Sequence, residues 1–259
     1  PAAHEAHEDR AAYYNRAVSR LGWCIKNFGG YQKKIMRDVF FEAFETYETG
    51  CAPVIQELAR GVAPERQTQL LGRAAAAMLD ELEAGWQKKG DMEDEKIVLA
   101  IFFVPMVRKQ QLPISEEFVT ILQKQWVERY PKSPFYLGDY ESISGGFRKK
   151  FLGLCFITTA VCQELGKPDD CEELTAFRAF RDGYLRSQPD GEALIREYYN
   201  IAPGIVTCIN TCSDRHASYA RIREEYLAPC YQDLLAGRNE SCKARYVRMV
   251  RDLEREYLS

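Results

Sequence analysis

The segment Cys155-Phe-Ile-Thr-Thr-Ala-Val-Cys162 has the clearest helical pattern in the chain. On an α-helix its small polar side chains fall at positions i, i+3, i+4 and i+7, and therefore share one face. These side chains are Cys155, Thr158, Thr159 and Cys162. The other faces are apolar, which is typical of a central, buried helix. The segment therefore predicts a helix that packs inside a helical fold.

Helical periodicity continues on both sides of this segment, over almost all of the 259 residues. We expect an all-α fold, a multi-helix array or bundle of about ten to twelve helices with little or no strand. Residues 135–140 are the sole strand candidate. Gly50 is expected to end one helix and Pro203 to begin another, because glycine and proline commonly stand at helix ends.

One stretch in the middle of the chain lacks clear periodicity. Residues 131–146 contain the punctuating residues Pro131, Pro134, Gly138, Gly145 and Gly146. Such clusters indicate turns and linkers. We therefore expect residues 1–130 to form an N-terminal helical region, residues 131–146 a linker, and residues 147–259 a second helical domain.

Charge and hydropathy exclude two classes of partner. The net charge is −3, whereas a nucleic-acid-binding protein normally has a basic face. The basic residues 148–150 are expected on a solvated helix face. No stretch approaches the roughly 18 apolar residues that a transmembrane helix needs, and the N-terminus has no apolar leader segment. We expect a cytoplasmic protein with free thiols, binding neither nucleic acid nor membrane.

Three ordered blocks of sequence resemble a known family. The hexapeptide Cys155-Phe-Ile-Thr-Thr-Ala160 is similar to the defining motif of the bacterial CFI-box domain. Residues 174–185 resemble the second block of that family and residues 197–206 its third. The resemblance covers residues 147–217, and implies that 147–259 is a CFI-box-like domain. It implies no particular chemistry, because no activity is established for the family.

The polar face of the Cys155–Cys162 helix has two interpretations. Its thiols and hydroxyls either allow close helix packing or line a pocket for a ligand. Arg178 and Asp182 lie at i, i+4 and are expected to pair, with Arg181 on the same side. These groups either join two helices or present a guanidinium to an anion. The candidate ligand-binding residues are Cys155, Thr158, Thr159, Cys162, Arg178, Arg181 and Asp182.

Two alternative functions use the cysteines differently. In a thiol-dependent enzyme, Cys155 is the nucleophile, one of the neighbouring threonines orients the substrate, and His216 is the candidate base. In a structural metal or redox-sensing site, Cys208 and Cys212 are ligands at i, i+4, and His216 continues that spacing. No Cys-x-x-Cys motif supports a metal site, and no phosphate-binding or dinucleotide-binding motif occurs.

The function that we expect first is an intracellular binding or regulatory module. Its ligand or partner, a small molecule or a protein, meets the Cys/Thr face at Cys155–Cys162. The sequence identifies no cofactor and no oligomeric state. His4 and His7 lie in the N-terminal segment, and we assign them no role.

Overall fold

Helices account for almost all of the regular structure. A computed structural model of the chain describes residues 2–148 and 155–259, apart from the side chains of residues 2–8 and Lys89. The structure is 80% helical, and no strand occurs in the described ranges. The predicted all-α array is therefore confirmed, whereas the strand proposed at residues 135–140 is absent.

The chain forms two compact units. The first comprises residues 1–32 and 41–144, and the second comprises residues 33–40 and 145–259. Most of the predicted linker, residues 131–144, thus lies in the first unit. Residues 149–154, and with them part of the basic run at 148–150, lie outside the described residues. The assignment of residues 147–259 to a CFI-box-like domain stays a prediction.

Among the helices that the structure describes, seven belong to the first unit and an eighth, Tyr140–Arg148, is shared between the two units. The seven are α1 (Ala2–Leu21), α2 (Trp23–Lys26), α3 (Phe40–Gly61), α4 (Gln67–Gly85), α5 (Lys89–Val98), α6 (Val104–Lys109) and α7 (Ser115–Arg129). Single 3-10 turns occupy Tyr31–Lys34 and Pro64–Arg66, and a π turn, Leu99–Phe103, joins α5 to α6. Helix α4 packs along α7.

Helix α3 corrects the prediction that Gly50 ends a helix. It runs without interruption through Gly50 and Pro53. A Cβ atom at position 50 would lie 3.3 Å from the ring of Phe28, so the glycine permits close packing rather than termination. The ring of Phe28 also contacts the buried ring of Tyr47, whose hydroxyl donates a 2.8 Å hydrogen bond to the carbonyl of Cys24.

Residues 131–135 are bonded to the first unit through α7. The indole N–H of Trp126 donates to the carbonyl of Ser133 at 2.8 Å. Gln123 donates through its amide to the carbonyl of Phe135 at 3.1 Å. The side chain of Phe135 is fully buried. This stretch lacks periodicity because side chains of α7, rather than helical hydrogen bonds, satisfy its backbone.

The second unit is built around one long helix. Its helices are α8 (Tyr140–Arg148, shared with the first unit), α9 (Phe156–Glu164), α10 (Glu172–Phe180), α11 (Gly191–Cys212), α12 (Arg215–Ile222), α13 (Ala228–Leu235) and α14 (Asn239–Tyr257). The π turn Arg181–Leu185 follows α10, and the π turn Arg223–Leu227 joins α12 to α13. Helix α11 packs against both α9 and α14, and α13 packs against α10 and α14.

A segment from early in the chain docks on the middle of α11. Backbone N–H groups of residues 33–40 donate to Asn200, one to its carbonyl at 2.9 Å and one to its side-chain oxygen at 3.0 Å. A Cβ atom at position 204 would lie only 1.8 Å from the carbonyl oxygen of Ile35. Helix α11 continues through Pro203, so the prediction that Pro203 begins a helix is wrong. The Pro-Gly pair instead marks the site of a close backbone contact.

This contact generates a prediction about stability. Gly204→Ala should lower the free energy of unfolding by about 1–3 kcal/mol, because the added methyl overpacks the contact with Ile35. In an unobstructed helix the same change stabilises by up to about 1 kcal/mol. Gly145→Ala, in α8, is the matched control, because a methyl group added there would have no neighbouring atom within 4 Å. Urea denaturation measures the free energy of unfolding of both variants. A Gly204→Ala protein as stable as wild type would contradict the close contact with Ile35.

Candidate ligand-binding site

An apolar cavity of about 60 Å³ lies beside Cys155 in the second unit. Apolar side chains from α10, α11 and α14 form most of its wall, including Phe177, Phe180, Ile195, Val247 and Val250. A single water molecule needs only about 10–15 Å³ measured in this way. The space is therefore large enough for a small organic group.

Cys155 reaches this cavity from the start of α9. It is the N-cap residue, with φ −104° and ψ 80°, and its side chain is buried. These angles are not helical, so the expectation that Cys155 belongs to a helical face with Cys162 is wrong. Cys162 does not line the cavity, and its Sγ lies 3.9 Å from Sγ of Cys171 instead. The predicted Cys/Thr face is divided between two places.

The two threonines of α9 also differ. Thr158 is buried, and its Oγ1 lies 3.2 Å from the hydroxyl of Tyr246, which lines the cavity. The hydroxyl of Thr159 is buried and has no hydrogen-bond partner within the described residues. A second cavity-lining hydroxyl, that of Tyr198, accepts a 3.0 Å hydrogen bond from the backbone N–H of Ile157. Two tyrosines thus position the first turn of α9 against the cavity.

Arg181 is the charged residue at the inner end of the cavity. Its side chain is only 9% exposed and donates two hydrogen bonds to the carboxylate of Asp182, at 2.8 and 2.6 Å. The remaining terminal nitrogen, Nη1, donates to the hydroxyl of Tyr199 at 3.0 Å and contacts Sγ of Cys155 at 3.6 Å. The guanidinium therefore connects the turn after α10 to α11 and to the start of α9.

Arg178 does not form the predicted pair with Asp182. It donates to the side chain of Asp169 at 2.8 Å and to the carbonyl of the same residue at 2.7 Å. Asp182 is bonded to Arg181, which holds the pKa of its carboxyl below the usual range. The π turn Arg181–Leu185 adds a residue to the helical repeat, so the i, i+4 geometry assumed from the sequence does not apply.

The Cys155 thiol is not set up as a thiolate. Burial raises its pKa, and the opposing effects of Arg181 and Arg178 do not cancel that increase. His216 cannot serve as its base, because His216 lies 3.4 Å from Glu164 at the far end of α9. Helix α9 is about 12 Å long at 1.5 Å per residue. The candidate nucleophile is therefore protonated at neutral pH and remote from the candidate base.

The cysteines proposed as metal ligands do not form a larger cluster. Helix α11 ends at Cys212, and His216 belongs to α12, so the expected continuation of the i, i+4 spacing is wrong. The buried Sγ of Cys208 lies 3.7 Å from the carbonyl of Tyr257. Within residues 2–148 and 155–259, no three His, Cys, Asp or Glu side chains are placed to hold a metal ion together.

An ion pair that the sequence did not predict belongs to the same cavity. Glu197 and Arg251 both line it, and Arg251 Nη2 lies 2.7 Å from Glu197 Oε2. Their side chains are 40% and 45% exposed, which places the pair at the solvent-facing side. The periodic signal that could have located this wall is the spacing of Tyr246, Val250 and Leu253 along α14.

Comparison of the chain with protein-family models, curated proteins and solved structures found no match. The resemblance to the CFI-box family therefore stays a prediction based on the three sequence blocks. Among the helices that the structure describes, none has both the length and the apolar character needed to cross a membrane.

The raised pKa of Cys155 predicts low nucleophilic reactivity. In the folded protein at pH 7.5, Cys155 should react with iodoacetamide more slowly than in the urea-unfolded chain, because burial raises its pKa and shields its sulfur from the reagent. Quantitative peptide mass spectrometry measures both rates. Faster reaction in the folded state would contradict this account and favour the enzyme alternative.

Proposed function

We propose that the chain is a binding or regulatory module whose ligand places a small aliphatic group in the cavity beside Cys155. The observation that carries this proposal is the composition of the cavity wall, which is apolar and next to polar groups that are already hydrogen-bonded. Ligand sites in proteins typically combine an apolar wall with a few oriented polar groups.

The size of the cavity limits the group that enters it. A volume of about 60 Å³ accommodates about four or five water-sized atoms. An engineered cavity of about 150 Å³ is known to bind benzene. A branched aliphatic group of about four carbons therefore fits this site better than an aromatic ring.

The ion pair on the solvent-facing side determines where the polar part of the ligand lies. Arg181 already has a carboxylate partner in Asp182, so an anionic group inside the cavity would compete with that bond. Glu197 and Arg251 are both about half exposed and present one charge of each sign. The ligand would extend its polar end towards these residues while its aliphatic end fills the cavity.

The protonated thiol gives Cys155 a different role from that of a nucleophile. Its Sγ contributes a soft, weakly polar part of the wall next to Arg181. We therefore do not propose a thiol-dependent reaction at this site. Cys155 and Arg181 line the cavity, and Asp182 contributes only as the counter-charge of Arg181. Cys162 and Arg178 lie outside the cavity wall.

Small probes test the proposal directly. Isobutanol should shift the methyl NMR signals of Ile195, Val247 and Val250, with saturation at a Kd of about 1–10 mM, the range expected for a ligand of five heavy atoms. Isobutyrate and isobutylamine share the branched four-carbon skeleton of isobutanol and carry opposite charges. Tighter binding of isobutyrate would show that the charge of Arg251 dominates recognition of the polar end. Tighter binding of isobutylamine would show that the charge of Glu197 does.

A pair of variants controls this experiment. Val247→Trp places a large ring in the cavity and should abolish the saturable shifts. Leu235→Trp makes the same kind of change at an exposed position of α13, where the side chain is 64% exposed, and should leave the shifts intact. The proposal is wrong if isobutanol gives no saturable shift, or if Val247→Trp binds it as well as wild type does.

A further inference from the structure

The thiols of Cys162 and Cys171 face each other across the connection between α9 and α10. Their sulfur atoms are 3.9 Å apart. Cys162 lies near the end of α9 and is 2% exposed, whereas Cys171 is the N-cap residue of α10 and is partly exposed. This pair is separate from the cavity at Cys155 and does not depend on the function proposed for it.

Backbone hydrogen bonds in the connecting turn bring the two thiols together. Gly166 has φ +67°, in the left-handed region, and its N–H donates to the carbonyl of Gln163 at 3.0 Å. The N–H of Lys167 donates to the carbonyl of Cys162 at 2.9 Å. These two bonds form a Schellman motif, which reverses the chain after a helix. The turn then returns the chain to Cys171 beside α9.

Access from solvent distinguishes Cys171 from the other cysteines. All nine cysteines lie in the described part of the chain, and eight of them are buried. Cys171 lines an open cavity of about 590 Å³, whose wall includes the charged residues Lys167, Glu173 and Arg223. The side chains of Lys167 and Glu173 form an ion pair there. A small polar oxidant can therefore reach the sulfur of Cys171 directly.

Two other thiol pairs provide an internal comparison. Cys51 Sγ lies 3.9 Å from the carbonyl of Cys24, and Cys230 Sγ lies 3.9 Å from the carbonyl of Cys242. All four of these residues are completely buried. In these two pairs the thiols are neighbours, but solvent does not reach them. The pair Cys162 and Cys171 combines a short distance between its sulfur atoms with access from solvent.

We propose that Cys162 and Cys171 form a site of reversible oxidation by a hydroperoxide. Cys171 attacks the peroxide oxygen, the O–O bond breaks, and the products are a sulfenic acid on Cys171 and one molecule of water when the oxidant is hydrogen peroxide. Cys162 then attacks the sulfur of that sulfenic acid. A disulfide forms, and the hydroxyl leaves as a second water after taking the thiol proton. The two thiols together lose two electrons, and these electrons reduce the peroxide.

The environment of Cys162 fits the second step. A disulfide requires the sulfurs to approach to about 2.05 Å, so they must move together by about 1.9 Å. Burial, and next the neighbouring Cys171, raise the pKa of Cys162, so the peroxide reacts at the accessible Cys171 rather than at Cys162.

Mass spectrometry of the full-length folded chain tests the proposal. The protein is treated with a few equivalents of hydrogen peroxide at pH 7.5, unfolded, and alkylated. Seven of the nine thiols should then react, the mass before alkylation should fall by about 2 Da, and peptide mapping should find Cys162 linked to Cys171. Dithiothreitol should restore all nine thiols.

Two serine variants control the test. Cys171→Ser should form no disulfide, whereas Cys230→Ser, which alters a buried pair, should form the Cys162–Cys171 link as wild type does. Circular dichroism establishes whether each variant is folded. If a variant does not fold, the peptide map of oxidised wild type still decides the test. The proposal is overturned if oxidised wild type keeps nine thiols, links a different pair, forms only dimers through Cys171, or carries sulfinic acid on Cys171 without a disulfide.

Discussion

The buried guanidinium of Arg181 is the constraint on which the organisation of the second unit depends. A charge that leaves water requires a counter-charge and hydrogen-bond acceptors, and removal of one partner from such a group is strongly destabilising. Asp182 supplies the counter-charge, Tyr199 supplies an acceptor on α11, and Cys155 supplies its sulfur at the start of α9. The requirement to satisfy one side chain therefore fixes the positions of three elements around the cavity.

Local helix geometry makes this arrangement possible. Arg181 begins a π turn, and its guanidinium bonds to the carboxylate of the next residue. A second π turn begins with Arg223, which lines the cavity next to Cys171. Such insertions cost helix stability and occur frequently at functional sites. In the second unit, each of these two turns places an arginine in the wall of a different cavity.

Much of the fold follows from the sequence, because hydrophobic periodicity reports local structure. The all-α class predicted from that periodicity is confirmed. The errors at Gly50 and Pro203 have one cause. Each residue lies inside a helix at a close tertiary contact, and a contact between distant parts of the chain leaves no periodic signal.

The candidate site could be predicted only in part, for the same reason. From the sequence we predicted Cys155 and Arg181, which do meet at the cavity. We also grouped Cys162 with them, because that prediction assumed an uninterrupted helix from Cys155 to Cys162. The tyrosines that complete the site come from α11 and α14, and their convergence depends on how these helices pack. Spacing along one helix predicts which residues share a face, but not which face of another helix lies opposite.

The central claim is that an open apolar space exists between Arg181 and the apolar side chains of α11 and α14. Xenon binds in apolar protein cavities and is readily located by X-ray diffraction. The most direct measurement is a crystal structure of the chain under xenon pressure. This account predicts a xenon atom in contact with Phe177, Ile195 and Val250, beside Sγ of Cys155. Side chains that close this space and leave no xenon density there would contradict it.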